Sequence, residues 1–231
     1  MKNDFAQEYK QHFKLNKYQQ LLSWEQLKHA IPLLLYMVVY LLWWSLLEDK
    51  VTSGYHVIHM NIDDHIPFCE LFIIPYLMWF GYVSLTVICL FFKDGTKKDY
   101  YRCLAFLFTG MTLFLIISTL MPNGHQLRPT VMPRDNVFTR MISGLWRNDT
   151  PTNLWPSIHV YNSLGAYFAI KKSKCFEEHR VLRFFSLLLT VSIILSTMLI
   201  KQHSVFDVLT AFALAAVMYV IVYNRPEGIK H

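Results

Sequence analysis

Six stretches of the chain are apolar over close to the roughly 20 residues that a helix needs to cross a bilayer, and few folds are open to a sequence built that way. They run from Ala30 to Leu47, Leu71 to Phe92, Cys103 to Met121, Leu154 to Ile170, Phe184 to Ile200 and Ser204 to Tyr223. The fourth and fifth, at about 17 residues, lie at the short end of that range. With 54% hydrophobic and only 16% charged residues among 231, there is too little polar surface to coat a soluble globule. The expectation is an all-α polytopic membrane protein with six transmembrane helices. Residues 1–29 form a cytoplasmic segment, 30–223 the membrane domain with a long outer loop at 122–153, and 224–231 a cytoplasmic tail.

Orientation follows from the basic residues, because cytoplasmic loops collect Lys and Arg. With both termini cytoplasmic, 16 of the 22 basic residues fall on that side, and Lys50, Arg128, Arg134, Arg140, Arg147 and Lys201 fall outside. The net charge of +6 is mostly this topogenic excess. No basic helix with interleaved aromatics stands clear of the membrane ends, which argues against a nucleic-acid partner. The Lys97-Lys98 and Lys171-Lys172 pairs read as topogenic, with anionic lipid headgroups as secondary partners. Trp43 and Trp44 sit where interfacial anchors sit. About 29 mixed polar residues precede the first apolar run and no small-residue cleavage site follows it, so that run reads as a retained anchor. Within the leader, Leu21, Leu22, Trp24 and Leu27 suit a short interfacial helix. Neither a disulfide across the outer face nor a zinc site follows from Cys69, Cys89, Cys103 and Cys175. There is no internal repeat or low-complexity linker, so one membrane domain accounts for the chain.

Within this apolar setting His203 and Asp207 stand out, four residues apart at the lip of the last span. A carboxylate there costs roughly 2.5 to 3.5 kcal/mol on the lenient insertion scale and calls for a partner. On a helix, residues four apart share a face, so His203 is the expected partner. An imidazole oriented by a buried carboxylate is a base or nucleophile held in one tautomer.

The outer loop between Pro122 and Asn153 is long enough to suggest function, and it carries Arg128, Arg134, Arg140 and Arg147 against Asp135 and Asp149. Arg is suited to bidentate phosphate recognition and stays charged, so the loop reads as an anion-attracting lid. Lipid headgroups and loop carboxylates are the competing partners for Arg134, Arg140 and Arg147. The loop feeds the fourth span through Trp155-Pro156-Ser157-Ile158-His159. Ser157 at a helix start offers a hydroxyl beside free N–H groups where a phosphate can rest, and His159 follows on the first turn. In the first outer loop, His56, His59, His65, Asp63 and Asp64 are too loosely spaced for a metal and read as solvated. Glu70 is expected to pair with an outer-loop arginine.

Arg128-Pro129, then Pro156-Ser157-Ile158-His159, then His203 with Asp207, in that order on six spans, resemble the three-part signature of the type-2 phosphatidic acid phosphatase superfamily. The resemblance covers residues 60–220. It implies that His203 attacks phosphorus, Asp207 orients it, His159 protonates the leaving oxygen, and Arg128 and Ser157 hold the phosphoryl oxygens. Three positions depart from the pattern. Met121 stands where a lysine is usual, Ile158 replaces a glycine, and Ser196-Thr197 replaces Ser-Arg. Lys201 and the loop arginines are the candidates to replace the missing cations. The bulky second-motif residue and the missing third-motif arginine also look like the inositol phosphorylceramide and sphingomyelin synthase branches, which transfer a headgroup to an alcohol.

The expected function is hydrolysis of a lipid phosphate ester or polyprenyl diphosphate through a phosphohistidine, without cofactor or metal. The site would lie on the non-cytoplasmic side of a cell membrane. Transfer to a lipid alcohol through the same histidines is the alternative. A transporter that uses these charges for passage is a second one. A third makes His159, His203 and Asp207 metal ligands, which the nearby arginines disfavour because they already supply positive charge.

Overall fold

A computed structural model describes residues 24–50, 54–93 and 95–224. The chain clusters into two units, residues 1–39 and 40–231. The first contains a single turn, α1 (Trp24–Leu27), and the start of α2 (Ile31–Lys50), where Pro32 occupies the first turn and its missing N–H costs nothing. Of the expected interfacial helix, Trp24 and Leu27 lie on that turn, and Leu21 and Leu22 lie outside the described residues.

The second unit carries the rest of α2, then α3 (Ile73–Phe92), α4 (Lys97–Leu120), α5 (Val137–Asn148), α6 (Ile158–Lys172), α7 (Arg180–Leu199) and α8 (Val205–Tyr223). Among the described residues five helices, α2, α3, α4, α7 and α8, are long and apolar enough to cross a membrane. The fourth apolar segment differs from expectation: residues 154–157 are extended, and α6 begins only at Ile158 and spans 15 residues. At 1.5 Å per residue it falls short of the roughly 30 Å hydrocarbon thickness. It sits instead at the centre of the bundle, packed against α3, α4, α7 and α8. Small residues let it come close. A Cβ on Gly110 of α4 would overlap the Tyr161 ring, and one on Gly165 would meet Phe106. The Phe106 and Tyr161 rings stack 4.6 Å apart, and the Tyr161 hydroxyl donates to the Phe106 carbonyl at 2.8 Å. Exposed Leu, Val, Ile and Phe side chains cover the outward faces of α3, α7 and α8, as lipid contact requires.

The loop before α3 and the loop between α4 and α6 are knitted into one cap. A short strand β1 (His56–Val57) pairs in parallel with β2 (Asn123–Gly124), and Gly124 bridges to Thr152. The buried Asn123 side chain accepts from the Leu154 and Trp155 amides at 2.9 and 3.0 Å, fixing the approach to α6. The long outer loop is not structureless either. It contains α5, capped by Asn136, which exchanges hydrogen bonds with Thr139 in a capping box. Ile142, Leu145 and Trp146 of α5 pack on Ile73, Tyr76 and Ile200 at the outer ends of α3 and α7. Glu70 fastens the start of this segment, pairing with Arg134 at 2.8 Å and accepting from Asn136 at 3.0 Å.

Candidate active site

The short turn between α7 and α8 is the base of the site. Lys201 adopts a left-handed backbone (φ 55°), which stops α7, and the Gln202 and His203 amides both donate to the Thr197 carbonyl. His203 therefore precedes α8 and is not on it. The shared-helix-face argument for His203 and Asp207 fails in its geometry, since Ser204 is the N-cap. The two side chains are neighbours nonetheless, although His203 Nδ1 makes no hydrogen bond. Asp207, in the first turn, reaches back to accept the Ser204 N–H at 3.0 Å, and its Oδ2 lies 3.4 Å from His203 Nδ1. Both side chains are buried.

From α6, His159 meets this turn, its Nδ1 3.5 Å from His203 Nε2. His159 is clasped by two α3 residues one turn apart, Tyr76 stacking at 4.6 Å and Trp79 at 4.4 Å between centroids. Both imidazoles line a cavity of 280 Å³ whose walls are mostly apolar, with Tyr40, Trp44, Trp79, Phe80 and Phe114 among them and Glu48 and Asp149 at its polar side. Trp44 is thus a wall of this cavity, and Trp43 donates to Thr119 at 3.0 Å. Burial, reinforced by the Arg128 charge, pushes the His203 imidazole down to about 3, so it is neutral and its lone pair is available near pH 7.

Arg128 reaches the same turn from the outer loop. One terminal nitrogen donates to Gln202 Oε1 at 2.5 Å and the other to the Trp146 carbonyl at 3.4 Å, the guanidinium lying 5.3 Å from the Trp146 ring. Its Nε is buried with no hydrogen-bond partner. Gln202 Nε2 donates to Asp149 Oδ2 at 2.6 Å and to the Tyr76 hydroxyl at 3.2 Å. Burial lifts the Asp149 carboxyl to about 6 against the pull of Arg128. On the far side of Gln202, His125 accepts from the Leu127 amide through Nδ1 and so donates through Nε2 to the Gln202 carbonyl, at 2.9 Å. That bonding fixes a neutral tautomer, and burial pushes the group down to about 3.

The other expected residues divide. Ser157 is fully buried and its hydroxyl is used as the α6 N-cap, accepting from Val160 at 3.4 Å. Lys201 turns away from the imidazoles. Its Nζ donates to the Asp63 and Ile66 carbonyls, and it lines a separate polar cavity of 460 Å³ with His59, Asp63 and Asp64. Asp63, read as solvated, is buried: Oδ1 caps Val205 at 2.8 Å, and Oδ2 accepts from Ser204 at 2.6 Å and Met60 at 2.8 Å. Its local sequence is indistinguishable from a wet loop, and only the packing of that loop on α8 buries it. Arg140 pairs with Asp135 at the surface. Among the described residues no three His, Cys, Asp or Glu side chains converge as a metal site.

Tyr76, Trp79, Gln202, Asp149 and His125 were not singled out for the site by sequence. The adjacency of Gln202 to His203, and Tyr76 with Trp79 one turn on at the outer end of a span, were the only local signals. Comparison with protein-family models, curated proteins and solved structures finds no match.

Proposed function

We propose that the protein is an integral-membrane phosphoesterase that cleaves a lipid phosphate ester or polyprenyl diphosphate at the outer face through a phosphohistidine on His203. The observation that carries this reading is the pair of buried imidazoles from separate elements, facing each other across 3.5 Å in one cavity, with a carboxylate behind one of them. In this reading α6 is the sixth crossing, completed by the extended residues 154–157, and both termini are cytoplasmic.

His203 keeps its proton on Nδ1, toward Asp207, so Nε2 is the nucleophile. Asp207 favours the imidazolium that develops as the bond to phosphorus forms, and His159 donates to the departing alkoxide. Arg128 meets charge on the equatorial oxygens. In-line attack places phosphorus roughly 3 Å from the nucleophile, with the leaving oxygen beyond it, so the two rings separate when substrate binds. The aromatic wall accommodates the alkyl chain of the substrate. It also supports a second reading, in which a lipid alcohol, able to lie along an apolar wall that water wets poorly, takes the phosphoryl group.

The test incubates purified protein with a panel of lipid phosphates and prenyl diphosphates, with and without a lipid alcohol, and follows phosphorus. Phosphate release, or a new phosphate ester of the added alcohol, lost in His203→Ala together with an acid-labile phosphoenzyme, is the expected result. Absence of both products from the wild-type protein across the panel would end the enzymatic reading.

A further inference from the structure

Between the Arg128 guanidinium and the Asp149 carboxylate lies a neutral side chain, Gln202. Its amide orientation is dictated by chemistry. Arg128 has only donors, so it must face Oε1, and Nε2 then faces Asp149 and Tyr76. The amide holds the guanidinium at one end and the carboxylate at the other. Among the described residues Arg128 makes no ion pair within 4.0 Å, although Asp149 is close enough to act on it through space. An arginine tied directly to a carboxylate is neutralised and its fork is filled, whereas one held by an amide keeps its charge.

We propose that Gln202 is a positioning residue that fixes Arg128 for phosphate while keeping it from collapsing onto Asp149. The proposal rests on the phosphate-ester reading. Gln202 takes no part in bond making. It acts through Arg128, whose Nε remains without a partner, and through Tyr76, which both stacks on His159 and receives the Gln202 N–H. Because Asp149 closes α5 and the Trp146 carbonyl takes the second arginine contact, the outer helix and the turn carrying His203 share one polar anchor.

The experiment moves the charge while preserving shape. In Gln202→Glu, a carboxylate takes the place of the amide beside Arg128. Orthophosphate affinity and lipid-substrate KM should both worsen by roughly ten- to hundredfold, the worth of a charge-assisted contact. The double variant Gln202→Glu/Asp149→Asn again pairs one amide with one carboxylate at these two positions, so its melting temperature should return toward wild type. Its affinity for orthophosphate should stay weak, because Arg128 remains neutralised. Asp149→Asn alone should bind orthophosphate at least as tightly as wild type. If the double variant recovers affinity along with stability, Gln202 is only a packing element and the proposal is overturned. Weakened binding in Asp149→Asn overturns it equally. Binding of orthophosphate without any turnover by the wild type would defeat the enzymatic reading alone, leaving the variants' affinities to decide this one; no binding and no turnover would end both.

Discussion

Replacing Asp63 should be the most costly single change in the outer cap. Its carboxylate is 1% exposed and accepts three hydrogen bonds, from the Val205 and Met60 amides and the Ser204 hydroxyl, at 2.6 to 2.8 Å. Two of these donors begin α8, where a negative charge is further favoured by the helix dipole. Hydrogen bonds to a charged group contribute about 1.5 to 3 kcal/mol each, so three at the lower figure make Asp63→Ala cost about 4 to 5 kcal/mol. Asp63→Asn keeps one acceptor oxygen but turns an N–H toward a donor, and should lose about half as much. For a chain of this size each kcal/mol moves the midpoint by about 2 to 4 °C, so the alanine variant should melt about 8 to 20 °C lower in detergent. Turnover should fall as well, because Ser204 is the residue after His203. A fall of less than about 3 °C in Asp63→Ala would refute the reasoning, since it would mean that the cap donors find water or that the first outer loop does not pack on α8.

Four further outcomes follow. Asp207→Asn should lower turnover by roughly a hundredfold or more while leaving the melting temperature near wild type, and wild-type rates would contradict its role. Arg128→Lys keeps a charge but cannot reach both Gln202 and the Trp146 carbonyl, so KM should rise roughly tenfold, measured with the preferred lipid. Gly110→Ala should destabilise the bundle by about 1 to 3 kcal/mol in thermal unfolding, because α4 must move off the Tyr161 ring. Stability should fall on acidification. His203 and His125 are held near 3 when folded against 6.5 in the open chain, so the unfolded state binds more protons and each histidine removes about 1.4 kcal/mol per pH unit as pH drops below 6.5. Asp149, raised from 3.8 to about 6, acts in the opposite sense between those values and offsets one of the two. A melting temperature that rises from pH 6.5 to 4 would contradict this balance.

Legible in the sequence were the long apolar helices, which are compatible with a multi-pass membrane protein, and the candidate residues His159, His203, Asp207 and Arg128, because hydrophobic run length and residue type are local properties. It also pointed to a Glu70 pairing with an outer-loop arginine, which Arg134 fulfils. Only the tertiary structure decided that Lys201 serves backbone carbonyls and not the cavity, that Asp63 is a buried cap, and that Gln202 ties Arg128 to Asp149. Each of those outcomes depends on which loop packs on which helix end. Burial and hydrogen-bond partners across 50 to 140 residues of chain are set by that packing, and side chains with the same local sequence become solvated or structural according to what covers them.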